Sequence, residues 1–305
     1  AAEILGFQFE HVGQIFGVGL LPATASASTA LGNLDVPVRR LGALVATGPA
    51  MRALTWAYMA ALYAFIFLPV AVLVTFSFQD GRLPVPPLQG VSLRWYEVVL
   101  SDRNLMAALG NSLLVAGISS AVALILGFLA AHALARVRLP GSVLMRGLLI
   151  APMTVSYLII ALGLLTVFNQ TGIRLSLWTA GLGHVVINLP LCFAITFAAM
   201  GDQQRSAERA ARDLGASDWQ VLAHVSAPML APALAAAFFL SVTFSWDEFI
   251  IAFLLTRFDV TLPVEIWSML RSGLSPATNA IGSLVFLVSV TLVIGLELTI
   301  FRRAR

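Results

Sequence analysis

Two adjacent carboxylates, Asp247 and Glu248, follow Trp246 inside an otherwise apolar stretch of the chain. An ionisable side chain within a membrane span is costly unless it is paired or faces water, so these acids indicate a functional site. Two carboxylates beside an indole suit a cationic amine, through charge pairing and a cation–π contact. One acid could face a path while the other pairs with a neighbouring helix, or both could border a wet cavity. The alternative is that both pair with arginines. Our interpretation assigns Trp246, Asp247 and Glu248 to a substrate path.

A second polar stretch, ERAARDLGASDWQVLAHVSAP at residues 208–228, also interrupts the apolar sequence. It predicts two short helices: Asp202 can cap the first, Gly215 supplies its left-handed stop, and a capping box from Ser217 to Gln220 opens the second. By helical spacing, the first helix carries an apolar face formed by Ala207, Ala210, Ala211 and Leu214. The charges around that face are Glu208, Arg209, Arg212 and Asp213. Such a surface suits docking into the groove of another protein, and the alternative is an ordinary solvated helix.

The residues needed for common catalytic chemistry are not grouped in this sequence. The chain contains no lysine and therefore no G-x-x-x-x-G-K-[ST] phosphate loop, so it cannot bind ATP in the usual way. Its single cysteine, Cys192, excludes an internal disulfide, and no His, Cys and carboxylate cluster has metal-ligand spacing. We therefore expect a chain that is not itself an enzyme and that holds neither a cofactor nor a metal.

The composition is that of a protein whose solvent is the lipid bilayer. Of its 305 residues 59% are hydrophobic and 11% are charged, and the mean hydropathy is +0.91. A spanning helix needs about 20 apolar residues to cross the hydrocarbon core. Six segments meet this requirement: residues 53–78, 107–137, 142–167, 176–200, 231–255 and 279–301. We predict an all-α membrane protein with six transmembrane helices in residues 51–305, preceded by an N-terminal extension of uncertain structure in residues 1–50.

The arginines form clusters that alternate with the predicted spans. The clusters are Arg39, Arg40 and Arg52; Arg136, Arg138 and Arg146; Arg205, Arg209 and Arg212; and Arg302, Arg303 and Arg305. Their position beside apolar segments concerns topology rather than nucleic-acid binding, and by the positive-inside rule all four clusters are cytoplasmic. We therefore expect both termini, and a loop over about residues 201–230, on the cytoplasmic side.

That loop resembles the EAA loop found in the membrane subunits of ATP-binding-cassette importers. In the EAA loop, Glu-Ala-Ala, three residues and Gly are followed about nine residues later by a hydrophobic residue, x, Leu and Pro. The residues that fall on this pattern are Ala210, Ala211, Gly215, Val225 and Pro228. Arg209 occupies the usual Glu position, with Glu208 one residue before it, and Ala227 replaces the usual Leu. The resemblance implies coupling to a separate ATPase subunit through Glu208, Arg209, Ala210, Ala211, Asp213, Gly215 and Pro228.

The resemblance covers roughly residues 50–305 and includes GNSLLVAG, SWDEFIIAFLL and LPVEIWSMLRSGLSPATNA. These segments are most similar to the polyamine (spermidine/putrescine) branch of binding-protein-dependent permeases, although Met153 follows Pro152 where such permeases often carry an acid. The resemblance implies a type I importer permease of a bacterial inner membrane that carries a polyamine or other cationic amine. Its implied partners are an ATPase dimer that holds ATP and Mg²⁺, a second permease subunit and a periplasmic solute-binding protein. The alternatives are an amino-acid-like solute or a metal complex, or a secondary transporter or channel.

Overall fold

The computed structural model of the chain describes residues 49–137, 140–273 and 275–303. Its helices are α1 (Pro49–Ser77), α2 (Arg94–Ser101), α3 (Arg103–Arg136), α4 (Ser142–Ile150), α5 (Tyr157–Thr171), α6 (Leu177–Ala199), α7 (Asp202–Asp213), α8 (Asp218–Val221), α9 (Ala227–Met229), α10 (Ala231–Trp246), α11 (Ile250–Leu255), α12 (Leu262–Ser272) and α13 (Pro276–Arg303). A 3₁₀ turn (Ala151–Thr154) follows α4, and a π turn (Leu222–Ser226) joins α8 to α9. Almost all of the predicted N-terminal extension lies outside the described residues.

Four of these helices, α1, α3, α6 and α13, are long and apolar enough to cross a membrane. Two further candidates are bent pairs: Ser142–Thr154 meets Tyr157–Thr171 at 104°, and Asp218–Met229 meets Ala231–Trp246 at 77°. The part of the chain that the structure describes therefore has four spanning helices, or up to six if each bent pair is one span. The prediction of a helical, multi-span protein is confirmed, and the count of six stays a prediction.

Two of the predicted spans are not continuous helices. In residues 142–167 the α-helix ends at Ile150, a 3₁₀ turn follows over Ala151–Thr154, and Val155 has an extended backbone before the next helix begins at Tyr157. In residues 231–255 the helix stops at Trp246 and begins again at Ile250. The sequence predicts only that these two segments are long and apolar enough to cross, and the structure adds that each contains a break. Broken helices are tolerated at membrane depth only where other groups satisfy the freed backbone donors and acceptors, and hydropathy carries no information on this.

The centre of the helical bundle is the contact between α3, α6 and α10. Small buried residues, among them Ala123, Ala131 and Ala237, line this contact. At Gly127 of α3, an added Cβ would lie 2.8 Å from the backbone nitrogen of Phe193 in α6. Glycine at this position therefore allows the two backbones to approach closely, which is the usual way in which membrane helices gain packing energy.

Polar side chains also cross this interface. His184 Nδ1 of α6 lies 2.5 Å from Ser245 Oγ of α10, which is 3.2 Å from Ser119 Oγ of α3. The hydroxyl of Ser241 donates to Ser120 Oγ at 3.0 Å. These contacts join α3, α6 and α10, and they fix the end of α10 that carries Trp246.

Candidate coupling surface and substrate cleft

Helix α7 and the turn after it are shaped by local capping interactions. The backbone N–H of Gly201 donates to Gln204 Oε1 at 3.1 Å, so Gly201 is the N-cap and Asp202 is the first helical residue, which corrects the predicted cap. Gly215 has φ of +90°, the left-handed conformation that ends a helix. The capping box is confirmed, because Ser217 N–H donates to Gln220 Oε1 at 2.8 Å and Gln220 N–H donates to Ser217 Oγ at 3.4 Å.

Glu208 of α7 points into the chain. Its side chain is only 2% exposed, and its carboxylate accepts hydrogen bonds from Arg136 Nε at 2.6 Å and Arg136 Nη2 at 3.2 Å. The hydroxyl of Ser226 in the π turn also donates to Glu208 Oε1, at 2.9 Å. Glu208 therefore ties α7 to the end of α3 and to the π turn. Sequence reasoning missed this pair because its members are far apart in the chain and both belonged to clusters that were assigned to other roles.

The remaining residues of the predicted coupling set lie on the outside of this loop. Arg209, Ala210, Asp213, Gly215 and Pro228 are exposed, and Ala211 is half-buried. The apolar side chains beside them are also open, with Leu214 89% exposed and Trp219 70% exposed. Arg212 pairs with Asp218 across the Gly215 turn at 2.9 Å. The loop thus presents an apolar surface flanked by charges, and that surface is held in place by the buried Glu208.

The two adjacent acids lie in the break between α10 and α11, where the structure gives them different surroundings. Glu248 is buried, and its carboxylate accepts from three backbone N–H groups at the start of α11: Ile250 at 3.0 Å, Ile251 at 2.8 Å and Ala252 at 3.4 Å. His184 Nε2 lies 3.9 Å from the same carboxylate. Glu248 is therefore the cap that makes the break possible. Among the described residues, neither acid pairs with an arginine.

Asp247 is exposed and opens into a cleft of about 270 Å³. The aromatic residues at this cleft are Phe249 and Trp267, together with Trp246, which is itself buried in the core behind the cleft at 2% exposure. Phe249 packs against Trp267 of α12 with ring centroids 5.7 Å apart. A free carboxylate beside aromatic faces is an arrangement that suits an ammonium group. Trp267 was missed as a site residue, although it lies in the LPVEIWSML segment that carries the resemblance.

The cleft is positioned by the start of α3. Asn111 Nδ2 donates to the carbonyl of Val260 at 3.0 Å, and Leu262 N–H donates to Ser112 Oγ at 2.8 Å. Both bonds hold the segment that leads into α12. The GNS triplet of the GNSLLVAG motif therefore has a structural role, which is to keep α12 and its Trp267 opposite Asp247.

The chain is similar to known membrane transport proteins. Residues 123–304 match the family described as "Binding-protein-dependent transport system inner membrane component". The chain is 31% identical over 249 residues to the spermidine/putrescine transport system permease protein PotC of Escherichia coli strain K12, which covers 81% of this chain and 94% of PotC. It is 33% identical over 232 residues to the putrescine transport system permease protein PotI of the same strain, which covers 73% of this chain and 82% of PotI.

Among solved structures, the chain is similar in fold to a chain of a bacterial alginate ABC transporter in complex with an alginate pentasaccharide-bound periplasmic protein. The TM-score is 0.61 at 14% identity, and the match covers 82% of this chain and 92% of the other. At this identity the likeness concerns the fold alone.

Proposed function

Because this chain belongs to the family of binding-protein-dependent transport system inner membrane components, we propose that its cleft at Asp247 lies on the path of a polyamine. The chain is a multi-pass inner-membrane permease subunit, and its relatives PotC and PotI are named for spermidine and putrescine transport. The observation that carries the substrate proposal is the exposed Asp247, which has no ion pair among the described residues, in a cleft walled by Phe249 and Trp267 and backed by the buried Trp246. An ammonium group that leaves water loses hydration, which a carboxylate partly offsets, and aromatic faces add cation–π attraction.

Within this proposal, the three residues of the predicted path have different roles. Asp247 contacts the amine, Trp246 backs the cleft, and Glu248 holds the break open by capping α11. Trp267 of α12 also lines the cleft, on the side opposite Asp247. The arrangement favours a cation over a neutral solute. A carboxylate in an apolar cleft is unfavourable in free energy unless a cation or water interacts with it.

The proposed partners are an ATPase dimer, a second permease subunit and a periplasmic solute-binding protein. ATP and Mg²⁺ belong to the ATPase, and the chain itself needs no cofactor. The exposed loop of α7 and α8 is the proposed contact with the ATPase. A family description that names binding-protein dependence supports the periplasmic partner.

The proposed function is tested with the purified assembly, obtained by tagging this chain and collecting its co-purifying subunits. We expect binding protein loaded with spermidine or putrescine to stimulate ATP hydrolysis, whereas the unloaded binding protein does so weakly. Polyamine flux through this chain reconstituted alone would instead indicate a secondary transporter or channel.

The docking role of α7 predicts the effect of a bulky substitution on its open face. Ala210 is exposed, so Ala210→Trp is tolerated by the chain itself but prevents close approach of a partner. Central interface contacts are worth about 2 kcal/mol or more, so we expect ATPase co-purification to fall roughly thirtyfold. The matched control is Ala61→Trp on the exposed surface of α1. Equal ATPase recovery in both variants would remove the docking role from this face.

We also propose that both termini and the loop of residues 201–230 are cytoplasmic, because the arginine clusters obey the positive-inside rule. Exposed Ser217, replaced by cysteine in a Cys192→Ala background, should resist a membrane-impermeant thiol reagent in intact cells and react once the cells are opened. Labelling of Ser217→Cys in intact cells would reverse the proposed orientation.

A further inference from the structure

We propose that the pocket between the end of α3 and helices α7 and α8 binds the phosphate headgroup of an anionic lipid. The pocket has a volume of about 520 Å³, and one of its walls is the last two turns of α3, from Leu129 to Arg136, with Val137 directly after them. The site rests on the proposed cytoplasmic position of α7, and it does not depend on which solute the permease carries.

The charges that line the pocket do not balance. Its four arginines are Arg136, Arg205, Arg209 and Arg212, and its two acids are Glu208 and Asp218. Arg136 is neutralised by Glu208 at 2.6 Å and Arg212 by Asp218 at 2.9 Å. Arg205 and Arg209 have no ion pair among the described residues. The guanidinium groups of Arg205 and Arg209 are therefore available to bind an anion. Their planar arrangement of N–H donors matches the geometry of a phosphate.

An apolar strip leads from this pocket along α3. Val122, Ile125, Leu126 and Leu129 are all exposed, and their helical spacing places them on the face that continues into Ala133 and Arg136 of the pocket. An amphiphile with a negative head and a hydrocarbon chain matches both parts of this surface. A free phosphate or a nucleotide would use only the basic part.

The pocket also lies at the level expected for a headgroup. With 34 residues, α3 is roughly 50 Å long, whereas a bilayer is about 40–45 Å thick with its headgroup regions included. The last two turns of α3 therefore reach the polar region of the bilayer. The cytoplasmic leaflet carries a negative surface potential, and basic pockets between helices on that side are suited to anionic headgroups.

The pocket and the Ala210 face of the proposed ATPase contact lie on opposite flanks of α7. At about 100° per residue, Arg205 and Arg209 lie about 60° and 100° to one side of the inward-facing Glu208. Ala210 and Leu214 lie about 160° and 120° to the other side. The pocket and the proposed ATPase contact share Arg209 and the residues of α8, whereas Arg205 belongs to the pocket alone and can therefore be changed without touching the Ala210 face.

The test uses the purified importer assembly in nanodiscs that contain photoactivatable phosphatidylglycerol. In the unchanged protein we expect crosslinks in the peptides that carry residues 122–137 and 202–222. Arg205→Gln should reduce this labelling about tenfold, as the loss of a charge-assisted contact implies. Arg205→Lys should retain most of it, which separates loss of charge from loss of fold. The control is Arg174→Gln, an exposed arginine of an opposite loop, and it should label normally.

Three results would contradict the proposal of a lipid site. Equal labelling by photoactivatable phosphatidylcholine would remove the charge selectivity. Complete competition by millimolar inorganic phosphate would make a soluble anion the ligand. Loss of the ATPase subunit from Arg205→Gln would assign the pocket to docking. The proposed transport function is scored separately by polyamine-stimulated ATP hydrolysis, so failure of the lipid site and failure of the function are distinguishable.

Discussion

Asp247→Asn is expected to reduce polyamine uptake by about tenfold or more while the assembly still forms and still hydrolyses ATP. The side chain is exposed in the aromatic cleft, so the amide keeps its shape and leaves no buried partner without its charge. What is lost is the attraction between a carboxylate and a passing ammonium group, and a charged hydrogen bond is worth about 1.5–3 kcal/mol. The measurement is uptake of labelled spermidine into vesicles, with complex yield determined in parallel.

Two controls isolate the charge of Asp247. Asp259→Asn removes another exposed carboxylate, between α11 and α12 and outside the cleft, and should leave uptake unchanged. Glu248→Ala should lower complex yield rather than uptake per assembled complex, because three backbone N–H groups of α11 lose their acceptor. Normal uptake in fully assembled Asp247→Asn would exclude the cation path through this cleft.

Glu208→Ala is expected to destabilise the loop of residues 201–230 by about 3–5 kcal/mol, the usual cost of leaving one member of a buried ion pair alone. Arg136 would keep its charge with its side chain only 11% exposed, and Ser226 would lose its acceptor. Because Glu208 joins α7 to α3, we expect polyamine-stimulated ATP hydrolysis to collapse together with the melting temperature of the assembly. The measurements are thermal unfolding and stimulated ATP hydrolysis of the purified complex.

The double variant Glu208→Met with Arg136→Met provides the internal check. It removes both charges and replaces them with apolar side chains, so it should be less damaging than the sum of the single substitutions. Asp218→Asn breaks the exposed pair with Arg212, and it should change stability little, because exposed ion pairs contribute little. Equal effects from Glu208→Ala and Asp218→Asn would contradict the assignment of Glu208 as the tie between α7 and α3.

The features that local patterns determine could be predicted from the sequence. The observed bounds of α3, α6 and α13 differ from the predicted spans by at most four residues at either end, because each is a long apolar run between polar residues. The end of the first loop helix at Gly215 and the capping box that begins at Ser217 follow from short-range capping rules. The sequence also shows that Asp247 lies in a polar interruption of an apolar stretch.

The features that depend on distant partners could not be predicted. A charged residue on a short helix can face outward or inward, and only the position of Arg136 decides that Glu208 turns inward. The break before Ile250 exists because Glu248 supplies acceptors for freed N–H groups, which hydropathy does not register. Trp267 reaches the cleft only because Asn111 and Ser112 hold the segment that leads into α12.

The central claim is that this permease subunit carries polyamines at the expense of ATP hydrolysed by its partner. The most direct measurement is uptake of labelled spermidine by proteoliposomes that contain the purified assembly, its binding protein and enclosed ATP. We predict uptake that requires both ATP and the binding protein and that excess unlabelled putrescine reduces. Uptake that persists without ATP or the binding protein, or an assembly that imports an anionic or neutral solute and leaves spermidine outside, would contradict the claim.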